Sequence, residues 1–346
     1  MINEVQVSRV DLADARLVER SDEIADGQAA FSIEHFALTS NNITYAAHGV
    51  DMRYWDFFPA AAGWGVVPVW GFARVIASKV DGLAVGDRFY GYWPMASGAV
   101  LTPVKVSARG FVDGAAHRAE LAAVYNSYVR ADPGMGDDAA YALFRPLYVT
   151  SFLIDAMLAA GDDRLLLSSA SSKTALGLAQ AARARGAMVI GLTSARNRAF
   201  TETTGNYDLV AAYDEIEVLP LGPTTTYVDF SGDGGLRAAI HARFDATLGA
   251  SWVIGDTHWD VPAKTARLTG PRPQFFFAPT VAAERMAEWG AAGFEQRLAD
   301  SWTAFVASTA PWLRTVEGHG PAAAMSAYAR MVAGDIDPAE GIVLSI

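Results

Sequence analysis

From about residue 147 the chain alternates between apolar strand-like runs and helical runs, and this alternation limits the fold more than any other feature. "LYVTSFLIDAMLAAG" has helical spacing, "RLLLSSA" reads as a buried strand, and "KTALGLAQAARARGA" is a helix with Gly186 just past its end. "MVIGLTS", "LVAAYDE", "TTTYVDFSG" and "SWVIGDTHW" follow as strands, separated by the helical "RAFTETTGNYD" and "GLRAAIHARF". Short connections between such elements predict a parallel, doubly wound α/β sheet. Residues 1–110 read differently. Short β-like runs such as "VWGFARVIAS" and "GLAVGDRFYGYWP" are cut by Gly, Pro and Asp, which predicts an all-β module. After "PRPQFFFAPT" come a long helical stretch, a second helix "GPAAAMSAYARMVAG" and a closing β-like "GIVLSI".

The turn after the first strand, "SSASSKTA", stands where such sheets bind phosphate, yet no glycine appears before Gly177. Three readings are open. A P-loop needs glycine immediately before the lysine and again five residues earlier, where Ser172 and Leu167 stand. A dinucleotide loop needs a tight turn, close approach of the pyrophosphate and close helix packing. Ser169, Ala170, Ser171 and Ser172 are small, Ala175 fits the packing position, and the serines, Lys173 and Thr174 at a helix start could bind phosphate oxygens. The third reading is a serine N-cap with no ligand. The next strand ends in "TSARNR", with Ser194, Arg196 and Arg198 where an NAD site would carry an acid. Cations are disfavoured at a helix start, so two arginines there call for an anion, and the 2′-phosphate of NADP(H) suits them.

Composition removes several function classes. The 346 residues include no cysteine, which excludes disulfides, thiolate catalysis and Cys-bearing zinc sites. A formal net charge of −11 makes nucleic acid a poor partner. No run approaches ~18 apolar residues and no apolar signal core opens the chain, so the expectation is a cytoplasmic protein without a membrane span.

The order of parts resembles the medium-chain dehydrogenase/reductase superfamily over nearly the whole chain. "NNITYAAHG" resembles its "N-x-x-D-x-x-x-x-x-G" stretch, and "VPVWGFARVIASKVDGLAVGDRFYGY" its "P-x-x-G-x-E-x-x-G-x-V…V-x-x-G-D-R-V-x-G". "YVDFSGDGGLR" and the C-terminal "GPAAAMSAYARMVAGDIDPAEGIVLSI" are similar to segments of its zinc-free quinone and enoyl reductases. "NNITYA", "YWDFFPA", "GWGVVPVWGFA", "SSASSKTA", "GDTHW" and "FFFAP" together resemble the DUF2855 family. The resemblance implies a GroES-like β-barrel catalytic domain over 1–146, a Rossmann NADP-binding domain over 147–272, and a return to the first domain over 273–346. It also implies a zinc-independent reductase, since Cys is absent and Trp70 stands where an acidic zinc partner would be. Zinc-free members are often dimers, some pairing through Rossmann edge strands, so a homodimer through "SWVIGDTHW" is one expectation.

A zinc-free reductase must protonate, or stabilise the charge on, the substrate. Tyr45 is the first candidate donor, in a segment that faces the nicotinamide in the superfamily, and Tyr54 is the second. Tyr45 could instead be a β-strand tyrosine with its ring in the core. Asn42 could bond substrate or ribose, or only shape a turn. His258 in "GDTHW", with Gly255 and Thr257, follows a sheet strand and could lie by the nicotinamide, or be structural. By resemblance, Thr150 at the start of a helix would contact the nicotinamide, and Tyr213 the adenosine phosphate. The aromatics of "YWDFFPAAAGWG" suit an apolar or aromatic small-molecule substrate as well as a core. Two functions therefore compete: an NADPH-dependent reductase of an activated C=C or carbonyl, and a non-redox ligand-binding or ligand-transforming protein that kept the fold.

Overall fold

The structure, a computed structural model, describes residues 1–159, 161, 163–254 and 268–346. Within them the chain divides into two units, Met1–Leu143 with Arg314–Ile346, and Phe144–Leu313.

The first unit is built mainly of strands. Its strands are β1 (Ile2–Ser8), β2 (Ala15–Arg20) and β3 (Ala29–Leu38), then, after helix α1 (Ser40–Ala47), β4 (Trp64–Val66), β5 (Pro68–Ser78) and β6 (Arg88–Pro94). β7 (Gly98–Leu101), β8 (Pro103–Ser107), β9 (Gly110–Asp113) and β10 (Ser127–Arg130) follow. β1 pairs with β2 and β4, while β3, β5, β6, β10, β9 and β8 run side by side in a second, larger sheet. Phe31, Phe36, Val69, Phe89 and Trp93 point inward and are almost fully buried, which removes large apolar areas from water.

The second unit contains α2 from Phe144 to its end (the helix as a whole is Asp138–Leu158), β11 (Arg164–Leu167), α3 (Lys173–Ala184), β12 (Met188–Thr193), α4 (Arg198–Thr203) and β13 (Leu209–Ala212). It continues through β14 (Thr225–Asp229), α5 (Gly234–Phe244), β15 (Leu248–Val253), β16 (Gln274–Phe275) and α6 (Ala278–Thr309). The sheet order is β13-β12-β11-β14-β15-β16, and every pairing is parallel. In chain order this is 3-2-1-4-5-6, the doubly wound arrangement whose direction reverses between its first and fourth strands. Here the reversal lies between β11 and β14. Leu165, Leu166, Leu167, Ile190, Tyr227 and Val228 are fully buried, as a sheet covered on both faces requires.

The chain then returns to the first unit as β17 (Arg314–His319), α7 (Pro321–Val332) and β18 (Glu340–Ser345), and β18 lies antiparallel to β3 with Leu344 opposite Phe36. The return begins at Arg314 rather than near 273. The reason is aromatic packing within the second unit: Phe305 of α6 stacks on Tyr148 at 4.5 Å, and Phe294 meets Phe152 edge-on at 5.7 Å. α2 also starts earlier than its helical spacing suggested, because Pro146 is accommodated inside it. Thr150 is therefore mid-helix, half-buried. β15 is not the sheet edge, since β16 pairs with it at Trp252 and Val253. Among the described residues no helix is long and apolar enough to cross a membrane.

Helix α3 approaches α2 closely at Gly177. A Cβ at Gly177 would stand 2.7 Å from Ser151 Oγ and 3.1 Å from Tyr148 Cδ2. Gly177→Ala is expected to cost about 1–3 kcal/mol through overpacking, read as a lower midpoint in denaturant, and Ser151→Ala in the same chain should recover part of the loss.

Candidate functional site

The turn between β11 and α3 opens at the reversal of strand order, outside the carboxyl ends of the strands, where open α/β sheets bind ligands. Its first residue is held from behind. Asp229, fully buried at the end of β14, accepts from Ser168 Oγ at 2.9 Å, from Ser231 N–H and Oγ at 2.9 and 2.7 Å, and from Gly232 N–H at 3.1 Å. Arg237 neutralises it, with Nε at 2.8 Å and Nη2 at 2.7 Å. Ser168 Oγ in turn accepts the N–H groups of Phe230 and Ser231. A buried carboxylate is tolerable only with such partners, so the ends of β11 and β14 are locked together.

Ser169 then turns left-handed, with φ 47°. That is the conformation for which glycine is normally chosen, and it costs a side-chain-bearing residue about 1–2 kcal/mol. Neighbouring hydrogen bonds hold it. Ser169 N–H donates to the Tyr213 hydroxyl at 3.2 Å, Ala170 N–H to Leu192 O at 2.9 Å, and Ser172 N–H to Ser169 O at 2.8 Å. Tyr207 donates its hydroxyl to Ala170 O at 2.7 Å. Ser172 is the N-cap of α3: its backbone is extended and its Oγ accepts Ala175 N–H at 3.3 Å. Ser171 to Thr174 are half-buried. Ser171 Oγ accepts from Thr193 Oγ1 at 3.3 Å and from Asn197 Nδ2 at 3.1 Å. With both lone pairs engaged, its own O–H is left to donate.

The two arginines after β12 have different settings. Arg198 is bound by the protein's own anions, Glu202 at 3.0 Å and Glu215 at 2.8 Å. The Ala212 N–H and Arg198 hold the Glu215 carboxyl below its usual range. Arg196 is exposed and Ser194 half-buried, one turn earlier. Asn197, Ser168, Thr193 and Asp229 were not singled out in the sequence. The one available signal was an acid closing an apolar strand before small residues, "YVDFSGDGG", the pattern of a side chain that closes its own turn.

In the first unit the candidate donors share one aromatic cluster. Tyr45 lies on helix α1 rather than on a strand, and is buried. Its ring is 4.6 Å from that of Tyr54 and 5.5 Å from that of Tyr92 of β6, while Tyr92 and Tyr125 are 4.5 Å apart. Trp70 Nε1 donates to the Tyr45 hydroxyl at 3.3 Å. Burial pushes the phenols of Tyr45, Tyr54, Tyr92 and Tyr125 upward from their ordinary pKa. Asn42 has both ends of its amide engaged: Oδ1 accepts Thr39 N–H at 2.7 Å and Nδ2 donates to Pro68 O at 2.8 Å. It anchors the start of α1. Gly255, Thr257 and His258 lie outside the described residues. Among those described, no group of three His, Asp or Glu side chains could hold a metal.

The model of the family described as a protein of unknown function (DUF2855) matches residues 36–337. No curated protein matches the sequence. Among solved structures the chain is similar to CurA from Vibrio vulnificus in complex with NADPH, at 15% identity and TM-score 0.65, covering 99% of this chain and 98% of that one. It is similar to the quinone oxidoreductase from Coxiella burnetii at 14% identity and TM-score 0.57, covering 100% and 99%. It is also similar to Etr1p in complex with NADP and crotonyl-CoA at 11% identity and TM-score 0.59, again covering 100% and 99%. At such identities the likeness is one of fold: a Rossmann-like domain and a second sheet domain.

Ser169→Gly is expected to raise stability by up to about 1 kcal/mol by removing the left-handed penalty. Tyr213→Phe should lower it by about 1 kcal/mol through the lost acceptor for Ser169 N–H. Chemical denaturation of the two variants checks both signs.

Proposed function

The chain belongs to the DUF2855 family, and from that premise we propose that it is an NADPH-dependent, zinc-independent oxidoreductase that reduces an activated C=C or carbonyl of enone, quinone or enoyl type. The observation that carries this reading is the hydroxyl-rich turn at the strand-order reversal, where among the described residues the Ser171 O–H has no acceptor and Lys173 lies beside it. These groups suit an anion, and the solved relatives with NADPH or NADP bound support the choice of anion.

Ser171, Ser172, Lys173 and Thr174, with the backbone N–H groups of the α3 start, would hold the pyrophosphate. Ser194 and Arg196 would hold the 2′-phosphate, and Tyr213 would fix the turn from the adenosine side. Bound NADPH supplies the hydride. Tyr45 supplies the proton, with Tyr54 as the second choice, and Trp70 orients the Tyr45 hydroxyl. Asn42 acts at one remove, by fixing the helix that carries Tyr45. In Arg198 the guanidinium is balanced by Glu202 and Glu215, so its part is to hold the turn rather than the ligand.

One observation favours a second reading. Ser169, Ala170 and Ser172 spend their N–H groups inside the protein. A non-redox ligand-binding protein with weakened nucleotide use would tolerate that. Titration with NADPH while following nicotinamide fluorescence separates the two. Saturable binding in the roughly micromolar range is expected, and a flat titration would sink the reductase reading in favour of the other. Arg196→Ala should weaken NADPH by about tenfold and leave NADH unchanged. Arg198→Ala should have a smaller effect.

A further inference from the structure

Four phenols and one indole N–H meet in the tyrosine cluster of the first unit. Each of the four phenols, Tyr45, Tyr54, Tyr92 and Tyr125, carries one O–H and one acceptor oxygen, so alone they could balance. One further donor enters the cluster: the Trp70 indole N–H bonds to the Tyr45 hydroxyl at 3.3 Å. The Tyr125 ring stands edge-on to those of Tyr45 and Tyr54, at 6.2 and 5.9 Å. Among the described residues no carboxylate and no backbone carbonyl accepts from any of the four hydroxyls. Among the described residues the hydroxyl of Tyr92, whose ring is fully buried, has no hydrogen-bond partner. Buried polar atoms are rarely left so, and each such case calls for an explanation.

Part of the cluster meets the surface. Tyr54, Trp70 and Tyr125 are half-buried, while Tyr45 and Tyr92 form the inner wall. Phe57 and Phe58 line the same group, and the buried guanidinium of Arg118 lies over their rings at 5.5 and 4.5 Å. In such a place a donor is worth more than in water, and an acceptor oxygen that gains negative charge would be stabilised most.

We propose that Tyr45, Tyr54, Tyr92 and Tyr125, with the Trp70 N–H, form an oxyanion-holding site whose ligand is the oxygen of a conjugated, flat carbonyl compound or quinone in its enolate- or phenolate-like form. The inference rests on the reductase reading for its substrate class, and it adds Tyr92 and Tyr125 to the groups that touch the substrate oxygen. Burial keeps all four phenols protonated at neutral pH, so that they donate rather than ionise.

The test uses the purified full chain without cofactor and 4-nitrophenol as the probe, followed by its absorbance above its own pKa. Nitrobenzene serves as the neutral probe of similar shape. The expected result is that 4-nitrophenolate binds at least about tenfold more tightly than nitrobenzene. Tyr125→Phe and Tyr92→Phe keep the rings, and each should weaken the phenolate by roughly tenfold while leaving nitrobenzene unchanged. Equal binding of the two probes, binding of neither, or phenylalanine variants that match the parent would each overturn the site. Should Tyr92→Phe fail to fold, the half-buried Tyr125 carries the same comparison. A chain that prefers the phenolate but ignores NADPH keeps this site and loses the reductase reading. A chain that binds NADPH without preferring the phenolate loses the site alone.

Discussion

The buried carboxylate of Asp229 is the constraint on which the second unit's site depends. A charge at zero exposure has to be met by nearby groups, and here it is met by Arg237, by two serine hydroxyls and by backbone N–H groups. Those partners come from both sides of the strand-order reversal. The result is a fixed starting point for the turn that follows β11. Ser168 cannot move without stripping Asp229, and Ala170 cannot move without releasing Leu192. Between two pinned residues, Ser169 has little choice but the left-handed conformation. Its penalty of about 1–2 kcal/mol is offset by surrounding hydrogen bonds that contribute about 1 kcal/mol each.

The first unit presents the opposite electrostatic situation. Around Asp229 an acceptor has gathered donors until it is saturated. Around Tyr45 four hydroxyls have gathered, and among the described residues one of them, that of Tyr92, has no partner. Ring packing alone accounts for why the aromatics sit together, since edge-to-face contacts at 4.5–6 Å favour such clusters. It does not account for why four of the rings are tyrosine rather than phenylalanine in an apolar setting, where an unpaired hydroxyl is a cost.

Much of the fold was legible in the sequence because its signals are local. The strand and helix periods of residues 164–253 give the doubly wound sheet, and Ser172 before a helical run reads as an N-cap. What was not legible depends on long-range meetings. Ser169 carries no glycine to announce its positive φ, and the residue that stabilises its turn, Tyr213, is 44 positions away. Ser168 and Asp229 are 61 positions apart. Tyr45, Tyr54, Tyr92 and Tyr125 come from α1, two short turns and β6, and nothing in their spacing brings Tyr92 and Tyr125 to the candidate donors. Arg198 illustrates a sound principle with a different outcome. A cation at a helix start does call for an anion, but Glu202 and Glu215 supply it from within the chain.

A turn built on serine rather than glycine changes how a phosphate would be held. Glycine loops bring backbone N–H groups against the ligand because nothing projects from the turn. Here three of those N–H groups are consumed in holding the turn itself, so recognition passes to side chains. Side-chain donors usually lose rotamer freedom on binding, which would weaken the site. Ser171 escapes most of that loss, because Thr193 and Asn197 already fix its oxygen before any ligand arrives. The absence of glycine and the presence of Asn197 are therefore two halves of one arrangement: the turn gives up backbone contacts and recovers directionality from a hydroxyl that its neighbours have already oriented.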